Sequence, residues 1–315
     1  MTIQNPFGPK GWTPEQLGSL KGKTYVITGA NAGAGFEATR TLLSNGARVV
    51  MMNRNADKSA AAIDTLKQEF GHQAEVSFVP MDLAVLDSVR EAAAALLTHV
   101  DQIDALICNA AIAQVARQEI TVDGFESQLG VNHFGHFLLC GLLFDRINAS
   151  SGRIVVVGSN AYKMGLKKIQ FDDLNFDNKY TAWNAYAQSK LAQMMFAYEL
   201  QRRVQAAGLS VQVQVCHPGA SRTNLLKDTA SPFNKALWSV LSRLIAQPAE
   251  KGAWPEVMCA TQEGLLPQKN YGPTQRAQTV GPVGECPLDA VALDKPMAAK
   301  LWTLSEQKTG LNWAL

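Results

Sequence analysis

The chain alternates short apolar runs with longer segments in which apolar positions recur at helical spacing. The short runs predict β-strands, and the longer segments predict amphipathic helices. The predicted strands are residues 23–28, 48–52, 75–80, 105–108, 153–158 and 210–216. The predicted helices that alternate with them are residues 36–44, 57–70, 86–99, 131–148 and 185–207.

Strands this short and this apolar are buried on both faces, which is typical of a parallel sheet with helices packed on each side. The alternation therefore predicts an α/β fold built on a doubly wound parallel sheet. Ligands of such folds bind beyond the carboxyl ends of the strands. We expect a single domain over residues 21–315, preceded by an N-terminal arm over residues 1–20.

The pattern loosens after Pro218, and residues 224–315 are expected to form a substrate lid and a C-terminal extension. Residues 231–246 predict a helix with one apolar side, and residues 296–309 predict a helix near the end of the chain. Three interpretations of the 231–246 helix stay open: a substrate lid, a helix buried against the core, or a helix that contacts a membrane surface.

The composition, with 47% hydrophobic and 18% charged residues, is that of an ordinary globular protein. A net charge of +2 without a basic block predicts no binding surface for nucleic acid or for an anionic membrane. The five cysteines have neither CxxC spacing nor a histidine cluster, which predicts reduced thiols in a cytoplasmic protein and no metal site. The polar, proline-containing N-terminus predicts neither a signal peptide nor a firm membrane anchor.

A glycine-rich turn joins the first predicted strand to the first predicted helix. It reads Thr28-Gly29-Ala30-Asn31-Ala32-Gly33-Ala34-Gly35. Small residues in this position let backbone amides at a helix N-terminus approach a pyrophosphate. A tight turn with no ligand has the same appearance, but the strand-to-helix setting favours a dinucleotide site.

The second predicted strand ends at Asn53-Arg54, where a site for NAD usually carries an acidic residue that binds the ribose 2′-hydroxyl. A guanidinium instead favours the 2′-phosphate of NADP(H). An arginine solvated in a loop is the alternative. With the acidic residue missing, Arg54 predicts NADP(H) in preference to NAD(H).

Polar residues also follow the third and fourth predicted strands. In Asp82-Leu83, the aspartate either accepts a hydrogen bond from the adenine amino group or N-caps the next helix. In Asn109-Ala110, the asparagine either lines the cofactor cleft or holds a turn with its side chain. Its position after a strand favours the cleft.

Tyr186 and Lys190 lie four residues apart on one face of the predicted 185–207 helix, where the lysine lowers the pKa of the phenol. Alone, this spacing is common among exposed residues. Ser159 changes the balance, because it directly follows the fifth predicted strand, where its hydroxyl polarises a substrate oxygen beside the tyrosine.

A further polar group, Asn132, lies near the start of the predicted 131–148 helix and alone is compatible with a buried amide satisfied by the backbone. The neighbouring His133 and His136 lack a third ligand, so they predict packing or helix-surface roles and no metal.

Together these residues resemble the short-chain dehydrogenase/reductase family, whose members have a Rossmann fold, over Gly22 to about Thr223. The resemblance implies a catalytic tetrad of Asn132, Ser159, Tyr186 and Lys190. It also implies a cofactor cleft formed by Thr28, Gly29, Asn31, Gly33, Gly35, Arg54, Asp82, Leu83, Asn109, Ala110, Tyr186, Lys190, Pro218, Gly219 and Thr223. In this cleft Asp82 meets the adenine, and Thr223 holds the nicotinamide carboxamide.

Two departures from the family pattern refine this picture. Cys108-Asn109-Ala110-Ala111 replaces the family's NNAG motif, and the extra methyl of Ala111 affects how closely the backbone approaches the cofactor. Residues 170–176 lengthen the interval between the serine and the tyrosine, as in retinol-dehydrogenase-like members, whose substrates are often bulky and apolar. Light-dependent protochlorophyllide reductases are an alternative branch, but Ala220 stands where they carry a cysteine.

The sequence therefore predicts an NADP(H)-dependent oxidoreductase that acts on a carbonyl or alcohol carbon of a small molecule. The resemblance implies that Tyr186 moves the proton, Ser159 orients the oxygen and Lys190 lowers the tyrosine pKa and binds the nicotinamide ribose. It further implies that Asn132 supports a water link and that homo-oligomers form through the long helices. A non-catalytic NADP(H)-binding sensor or scaffold is the alternative of a different class.

Overall fold

The computed structural model describes residues 6–220 and 247–315. Within these residues, eight strands form one sheet in the order β3-β2-β1-β4-β5-β6-β7-β8. The strands are β1 (Thr24–Thr28), β2 (Arg48–Asn53), β3 (Val76–Pro80), β4 (Ala105–Cys108), β5 (Arg153–Val157), β6 (Gln212–Cys216), β7 (Asn270–Gln275) and β8 (Val280–Cys286). Neighbours from β3 through β7 are parallel, and only β8 runs antiparallel to its neighbour.

The described helices cover both faces of the sheet. They are α1 (Gly33–Ser44), α2 (Ala56–Phe70), α3 (Leu86–His99), α4 (Ser127–Leu129), α5 (Gly135–Ala149), α6 (Ala182–Ala206), α7 (Ala249–Thr261) and α8 (Lys295–Thr309). A π-helical turn, Gly130–Phe134, joins α4 to α5, and 3₁₀ turns occupy Pro14–Gln16, Asn160–Lys163 and Ala290–Leu293.

Each central strand contributes side chains to two separate cores, because successive residues of a strand point to opposite faces. In β1, Val26 packs with α3, α5, α6 and α8, whereas Tyr25 and Ile27 pack with α1, α2 and α7. All five residues of β1 and of β5 are buried. The predicted doubly wound α/β fold is therefore confirmed, and its strand boundaries differ from the predicted ones by one or two residues.

The sequence missed three elements in the last third of the chain: α7, β7 and β8. Strand β7 contains Gly272 and Pro273, and α7 contains Pro255, so none of these elements has a clean local pattern. They form through tertiary packing, since β7 pairs with β6 and α7 packs against α1 and β4–β7. The helix predicted at 296–309 is present as α8.

The described part of the N-terminal arm lies across α7 and the last strand. Trp12 is fully buried, forms a bridge with Val283 of β8 and donates its Nε1–H to Gln262 Oε1 at 3.1 Å. The 231–246 helix lies outside the described residues, so its three interpretations stay predictions. Over residues 6–220 and 247–315, the model has no helix with the length and hydropathy to cross a bilayer.

Candidate active site

The glycine-rich turn leads from β1 into α1 at the carboxyl edge of the sheet. Gly29 and Gly33 have φ values of 67° and 60°, a left-handed conformation that favours glycine. Helix α1 begins at Gly33, and its N-cap, Ala32, makes no side-chain capping bond. The first-turn amides therefore have no side-chain acceptor at this end, which fits a phosphate group.

Two polar side chains, those of Asn109 and Thr28, stabilise this turn through hydrogen bonds. Asn109 donates its Nδ2–H to the carbonyls of Thr28 and Gly29, at 2.8 and 3.1 Å. Thr28 is fully buried, and its hydroxyl accepts a hydrogen bond from the Ala110 amide at 2.9 Å. The Asn109 side chain therefore holds this turn, and its place in the cofactor cleft stays a prediction. A Cβ on Gly35 would collide with the Asn109 amide, so close packing requires glycine there.

At the end of β2, neighbouring residues point in different directions. Asn53 is buried, and its Oδ1 accepts a hydrogen bond from the Ala30 amide at 2.6 Å. The Arg54 side chain is 74% exposed, and its Nη1 lies 3.8 Å from Asp82 Oδ2. The guanidinium is thus available at the rim of the cleft, while Asn53 is occupied in fixing the glycine turn.

Asp82 does not N-cap the next helix, so this alternative from the sequence is wrong. Its Oδ1 accepts a hydrogen bond from the Ala84 amide at 2.9 Å, whereas the N-cap of α3 is Val85. The free amide of Leu86 is instead satisfied by Asp123 Oδ2, at 2.9 Å. Asp82 therefore stays at the carboxyl edge beside Arg54. The adjacent Leu83 is buried against the start of α5.

Ser159, Tyr186 and Lys190 come together at the carboxyl end of β5. The Ser159 hydroxyl lies beside the Tyr186 phenol and lowers its pKa. Lys190 donates from Nζ to the Val157 carbonyl at 3.0 Å, and its Nζ lies 6.0 Å from the centre of the Tyr186 ring. The Ser159 oxygen also accepts a hydrogen bond from the Ala161 amide, which fixes its direction.

Burial dominates the electrostatics of these groups. It raises the pKa of the Tyr186 phenol, and the hydrogen bond from Ser159 opposes that rise. It lowers the pKa of the Lys190 ammonium to about 8, against the opposing influence of Glu256. The groups that lower the tyrosine pKa in this structure include Ser159; the corresponding role of Lys190 stays a prediction.

Asn132 lies within the π-helical turn between α4 and α5. Its Oδ1 accepts a hydrogen bond from the Ile112 amide, and its Nδ2 donates to the Ile112 carbonyl and to Ser189 Oγ, each at 2.9 Å. The side chain is fully buried and satisfied by these partners. Asn132 therefore ties the loop after β4 to α6 one residue before Lys190.

The two neighbouring histidines, His133 and His136, are buried. His136 Nδ1 lies 3.0 Å from the Asn132 carbonyl, so it carries the proton, and Nε2 accepts from the Thr28 hydroxyl at 2.9 Å. Burial lowers the pKa of His136 to about 4 and that of His133 to about 3, so both are neutral. Over the described ranges, no three His, Cys, Asp or Glu residues form a metal-binding group.

The Pro218-Gly219 turn follows β6 and is held by the β7–β8 hairpin. Gly219 has a φ of 68°, and a Cβ on it would lie 2.5 Å from Pro273 Cγ and even closer to the Thr279 carbonyl. The Ala220 amide donates to that same carbonyl at 2.8 Å. Thr223, which the family pattern assigns to the nicotinamide carboxamide, lies outside the described residues.

The loop between Ser159 and Tyr186 is anchored on α6 beside the tyrosine. Gln188 accepts from the Gln170 amide and donates to the Leu174 carbonyl, at 2.8 and 3.1 Å. A Cβ on Gly165 would collide with Ala187, so this part of the loop touches α6 directly. Large apolar side chains of this loop and of the start of α6 are exposed: Met164, Leu166 and Trp183.

Two residues of this region escaped the sequence analysis. Ser189 sits inside the YxxxK motif, but only its contact with Asn132 reveals its role in fixing α6. Glu256 on α7 is fully buried and interacts electrostatically with Lys190. No sequence pattern singles it out, because its helix lacks a chemical motif.

The chain can be compared with known proteins now that this geometry is established. Residues 23–171 match the family model for short chain dehydrogenases. The chain is 38% identical over 311 residues to human retinol dehydrogenase 14, and the alignment covers 93% of this chain and 88% of that protein. The protein therefore belongs to the short-chain dehydrogenase/reductase family, in its retinol-dehydrogenase-like branch.

Other comparisons agree with this placement. Human retinol dehydrogenase 13 is 36% identical over 301 residues, which covers 93% of this chain and 86% of that protein. The crystal structure of an uncharacterized protein from Mycobacterium paratuberculosis is 38% identical, with a TM-score of 0.80, and covers 97% of this chain and 100% of that one. A short chain dehydrogenase from Shigella flexneri in complex with NADP shares the fold at 19% identity, a TM-score of 0.59 and coverages of 78% and 93%.

Proposed function

We propose that the protein is an NADP(H)-dependent oxidoreductase that interconverts a carbonyl group and an alcohol of a bulky, apolar small molecule. The observation that carries this proposal is the grouping of the Ser159 hydroxyl, the Tyr186 phenol and the buried Lys190 ammonium at the edge of the sheet where ligands bind. The membership of the family supports hydride transfer as the reaction class.

The roles of the side chains follow from their positions. When bound in the cleft, a nicotinamide would supply the hydride that reduces the carbonyl carbon. Tyr186 donates its phenolic proton to the carbonyl oxygen, and Ser159 donates a hydrogen bond that orients this oxygen. Lys190 places a positive charge near the phenol, which stabilises the phenolate left after the proton transfer. Asn132 positions α6 through Ser189.

The cofactor-binding part of the proposal concerns the carboxyl edge from β1 to β4. The uncapped start of α1 would hold the pyrophosphate, and the exposed Arg54 would pair with a 2′-phosphate. Asp82, which lies beside Arg54, would accept a hydrogen bond from the adenine amino group. The remaining residues assigned to the cleft are Thr28, Gly29, Asn31, Gly33, Gly35, Leu83, Asn109, Ala110, Pro218, Gly219 and Thr223.

Exposed apolar side chains support a bulky, apolar substrate. Met164, Leu166 and Trp183 are 64%, 42% and 38% exposed, and the Trp183 ring centre lies 6.4 Å from that of Tyr186. Contact with an apolar substrate would remove this surface from water. The relatives named as retinol dehydrogenases agree with such a preference.

The cellular location and the oligomeric state of the protein are a further part of the proposal. We infer a cytoplasmic location, because all five cysteines are free and buried rather than paired in disulfides. Homo-oligomers through the long helices remain part of the same proposal.

The test measures NADPH consumption with a panel of aldehydes, ketones, quinones and retinoids, with NADH in parallel. We expect turnover that rises with substrate size and apolarity and that falls by about 10²–10⁴-fold in Tyr186→Phe, the range for loss of a general acid. NADPH fluorescence titration of the same variant serves as the control, because the phenol-to-phenyl change should leave the cofactor bound.

Two outcomes would count against the proposal. Full turnover by Tyr186→Phe would remove the tyrosine from the reaction. NADPH binding by the wild-type protein without turnover of any compound in the panel would favour a non-catalytic sensor or scaffold. A raised pKa of the Tyr186 phenol makes the phenolate harder to form, so this alternative is worth testing.

A further inference from the structure

A buried histidine lies between the glycine-rich turn and the helix that carries Tyr186, and the proposed reaction gives it no role. His136, in the first turn of α5, has only 2% of its surface exposed. Its Nε2 lies 2.9 Å from the Thr28 hydroxyl, and its Nδ1 lies 3.0 Å from the Asn132 carbonyl. The imidazole thus contacts one residue from each of two parts of the site that are far apart in the sequence.

The proton on the imidazole ring sets the direction of these two hydrogen bonds. A backbone carbonyl can only accept, so Nδ1 carries the proton and donates it to Asn132. Burial lowers the pKa of His136 to about 4, so the ring is neutral and its Nε2 accepts from the Thr28 hydroxyl. That hydroxyl in turn accepts from the Ala110 amide at 2.9 Å. His136 therefore accepts a hydrogen bond from the cofactor side and donates one toward the tetrad.

The series of hydrogen bonds continues from Asn132 into α6. The Asn132 side chain donates to Ser189 Oγ at 2.9 Å, and the Ser189 hydroxyl donates to the Tyr186 carbonyl at 2.8 Å. The four side chains that form the series, those of Thr28, His136, Asn132 and Ser189, are all buried. A buried series in which each of these polar groups has a partner rigidifies the segments that it joins.

Packing alone does not account for the environment of His136, as a comparison with the adjacent His133 shows. His133 is equally buried, but its Nε2 lies 2.8 Å from Ser305 Oγ on α8, and its Nδ1 has no partner among the described residues. His133 thus connects α5 to the C-terminal helix, away from the cofactor turn. Both ring nitrogens of His136, in contrast, are bonded to residues of the candidate active site.

We propose that His136 is a positioning residue that holds the glycine-rich turn and the helix of Tyr186 in a fixed relation, through the hydrogen bonds of its ring to Thr28 and Asn132. The ring itself need not touch cofactor or substrate. Hydride transfer requires a narrow geometry, and a displacement of about 1 Å can cost about 10²-fold in rate. The effect on turnover rests on the proposed function, whereas the hydrogen-bonded series does not.

The first experiment observes the His136 ring in the protein without cofactor or substrate. Protein labelled with ¹⁵N at histidine is examined by NMR at neutral pH, and the His136 signals are identified as those lost in His136→Phe. We expect the proton on Nδ1. The Nε2 signal should move in Thr28→Val, which removes the hydroxyl, and should stay close to its wild-type position in Thr28→Ser, which keeps it. A proton on Nε2, or an Nε2 signal that Thr28→Val leaves unchanged, would overturn the proposal.

The second experiment tests whether the two ends of the series act together in turnover. In the wild type, Ser189→Ala should lower kcat/KM by about 10-fold, the upper end of the net contribution of one hydrogen bond. In His136→Phe the series is already broken, so Ser189→Ala should lower kcat/KM by less than about twofold further, because members of one hydrogen-bonded network are not additive. His136→Phe keeps an aromatic ring in the site, and the Thr28 hydroxyl still has the Ile107 carbonyl at 3.4 Å.

Ser305→Ala is the matched control, because it also removes a buried serine–histidine hydrogen bond beside this turn, but one made by His133. It should change kcat/KM by the same factor in the wild type and in His136→Phe. If Ser189→Ala also cost the same factor in both, the two ends would act independently and the proposal would be wrong. Should His136→Phe fail to fold, Thr28→Val takes its place, since it breaks the series at the adjacent hydrogen bond.

The NMR and kinetic results also separate this proposal from the proposed function. His136 with its proton on Nδ1 and an Nε2 signal that depends on the Thr28 hydroxyl, in a protein that turns over no substrate, would support the hydrogen-bonded series and contradict the proposed function. A proton on Nε2 in an active enzyme would do the reverse.

Discussion

At the scale of single residues, Asn53 and Arg54 divide the tasks at the end of β2. Asn53 is turned inward onto the Ala30 amide, and Arg54 reaches solvent beside Asp82. We expect Arg54→Ala to raise the KM for NADPH by about 10–100-fold, which corresponds to the loss of a hydrogen bond between charged groups. The KM for NADH and both kcat values should change little, because the 2′-phosphate is remote from the reacting carbon.

Steady-state kinetics with both cofactors measures this effect, and Lys308→Ala provides the control. Lys308 is exposed in the last turn of α8, so its removal changes the net charge equally without touching the cleft. A parallel rise in the KM for NADPH and NADH in Arg54→Ala would mean that the arginine does not contact the 2′-phosphate. If the ratio of the KM for NADPH to the KM for NADH were unchanged in Arg54→Ala, the predicted preference for NADP(H) would be contradicted.

Sequence reasoning singled out Ser159, Tyr186 and Lys190 as candidate catalytic residues because their chemistry and their positions agree, whereas Asn132 was singled out only by the family resemblance. Tyr186 and Lys190 share a helix face by spacing alone, and Ser159 follows β5 by pattern alone. The roles of other residues could not be predicted from the sequence, because they depend on contacts between distant segments. Thr28 matches a motif for phosphate binding, yet its side chain is buried against His136. Glu256 belongs to no motif, and only the folded chain shows that it is fully buried.

At the scale of elements, the β7–β8 hairpin supports the Pro218-Gly219 turn. We expect Gly219→Ala to destabilise the protein by about 1–3 kcal/mol through overpacking against Pro273 and Thr279, in addition to about 1 kcal/mol for the left-handed backbone. Because this turn borders the proposed nicotinamide site, cofactor affinity should fall as well. Urea unfolding and NADPH fluorescence titration measure the two effects.

Gly208→Ala separates the steric part of this cost from the backbone part. Gly208 has a φ of 65°, close to that of Gly219, but a Cβ on it would meet nothing within 4 Å. It should therefore show only the backbone cost and normal cofactor binding. Equal destabilisation of the two variants would show that the hairpin yields to the extra methyl group.

Sequence patterns predicted elements whose burial follows a regular pattern along the chain. Strands β1 and β5 are buried at every position and appear as continuous apolar runs. Strand β8 contains two glycines and a proline, and its first three residues are exposed or half-buried, so its sequence resembles a turn-rich loop. Its pairing with β7 and the bridge to Trp12 supply the order that local propensity lacks.

At the scale of the whole molecule, the C-terminal helix and tail cover the long helices. Helix α8 packs against α6 and α5, and Trp302 and Trp313 form an aromatic cluster with Phe137, Phe144 and Phe196. A Cβ on Gly141 of α5 would lie 2.9 Å from the Trp313 ring. The C-terminal helix and tail thus cover part of the surface of α5 and α6, and the proposed homo-oligomers would form through the part of the long helices that they leave free.

This arrangement predicts that Trp313→Ala both weakens the fold and promotes self-association. Removing the half-buried ring should lower the free energy of unfolding by about 2 kcal/mol, less than the cost at a fully buried aromatic site. The uncovered side chains of Phe137 and Phe144 would then be available to another copy. Sedimentation velocity at increasing protein concentration and urea unfolding measure the two effects, with the exposed Asn312→Ala as control. If Trp313→Ala matched this control in both, the tail would be a passive extension, and the face of α5 and α6 would not depend on it.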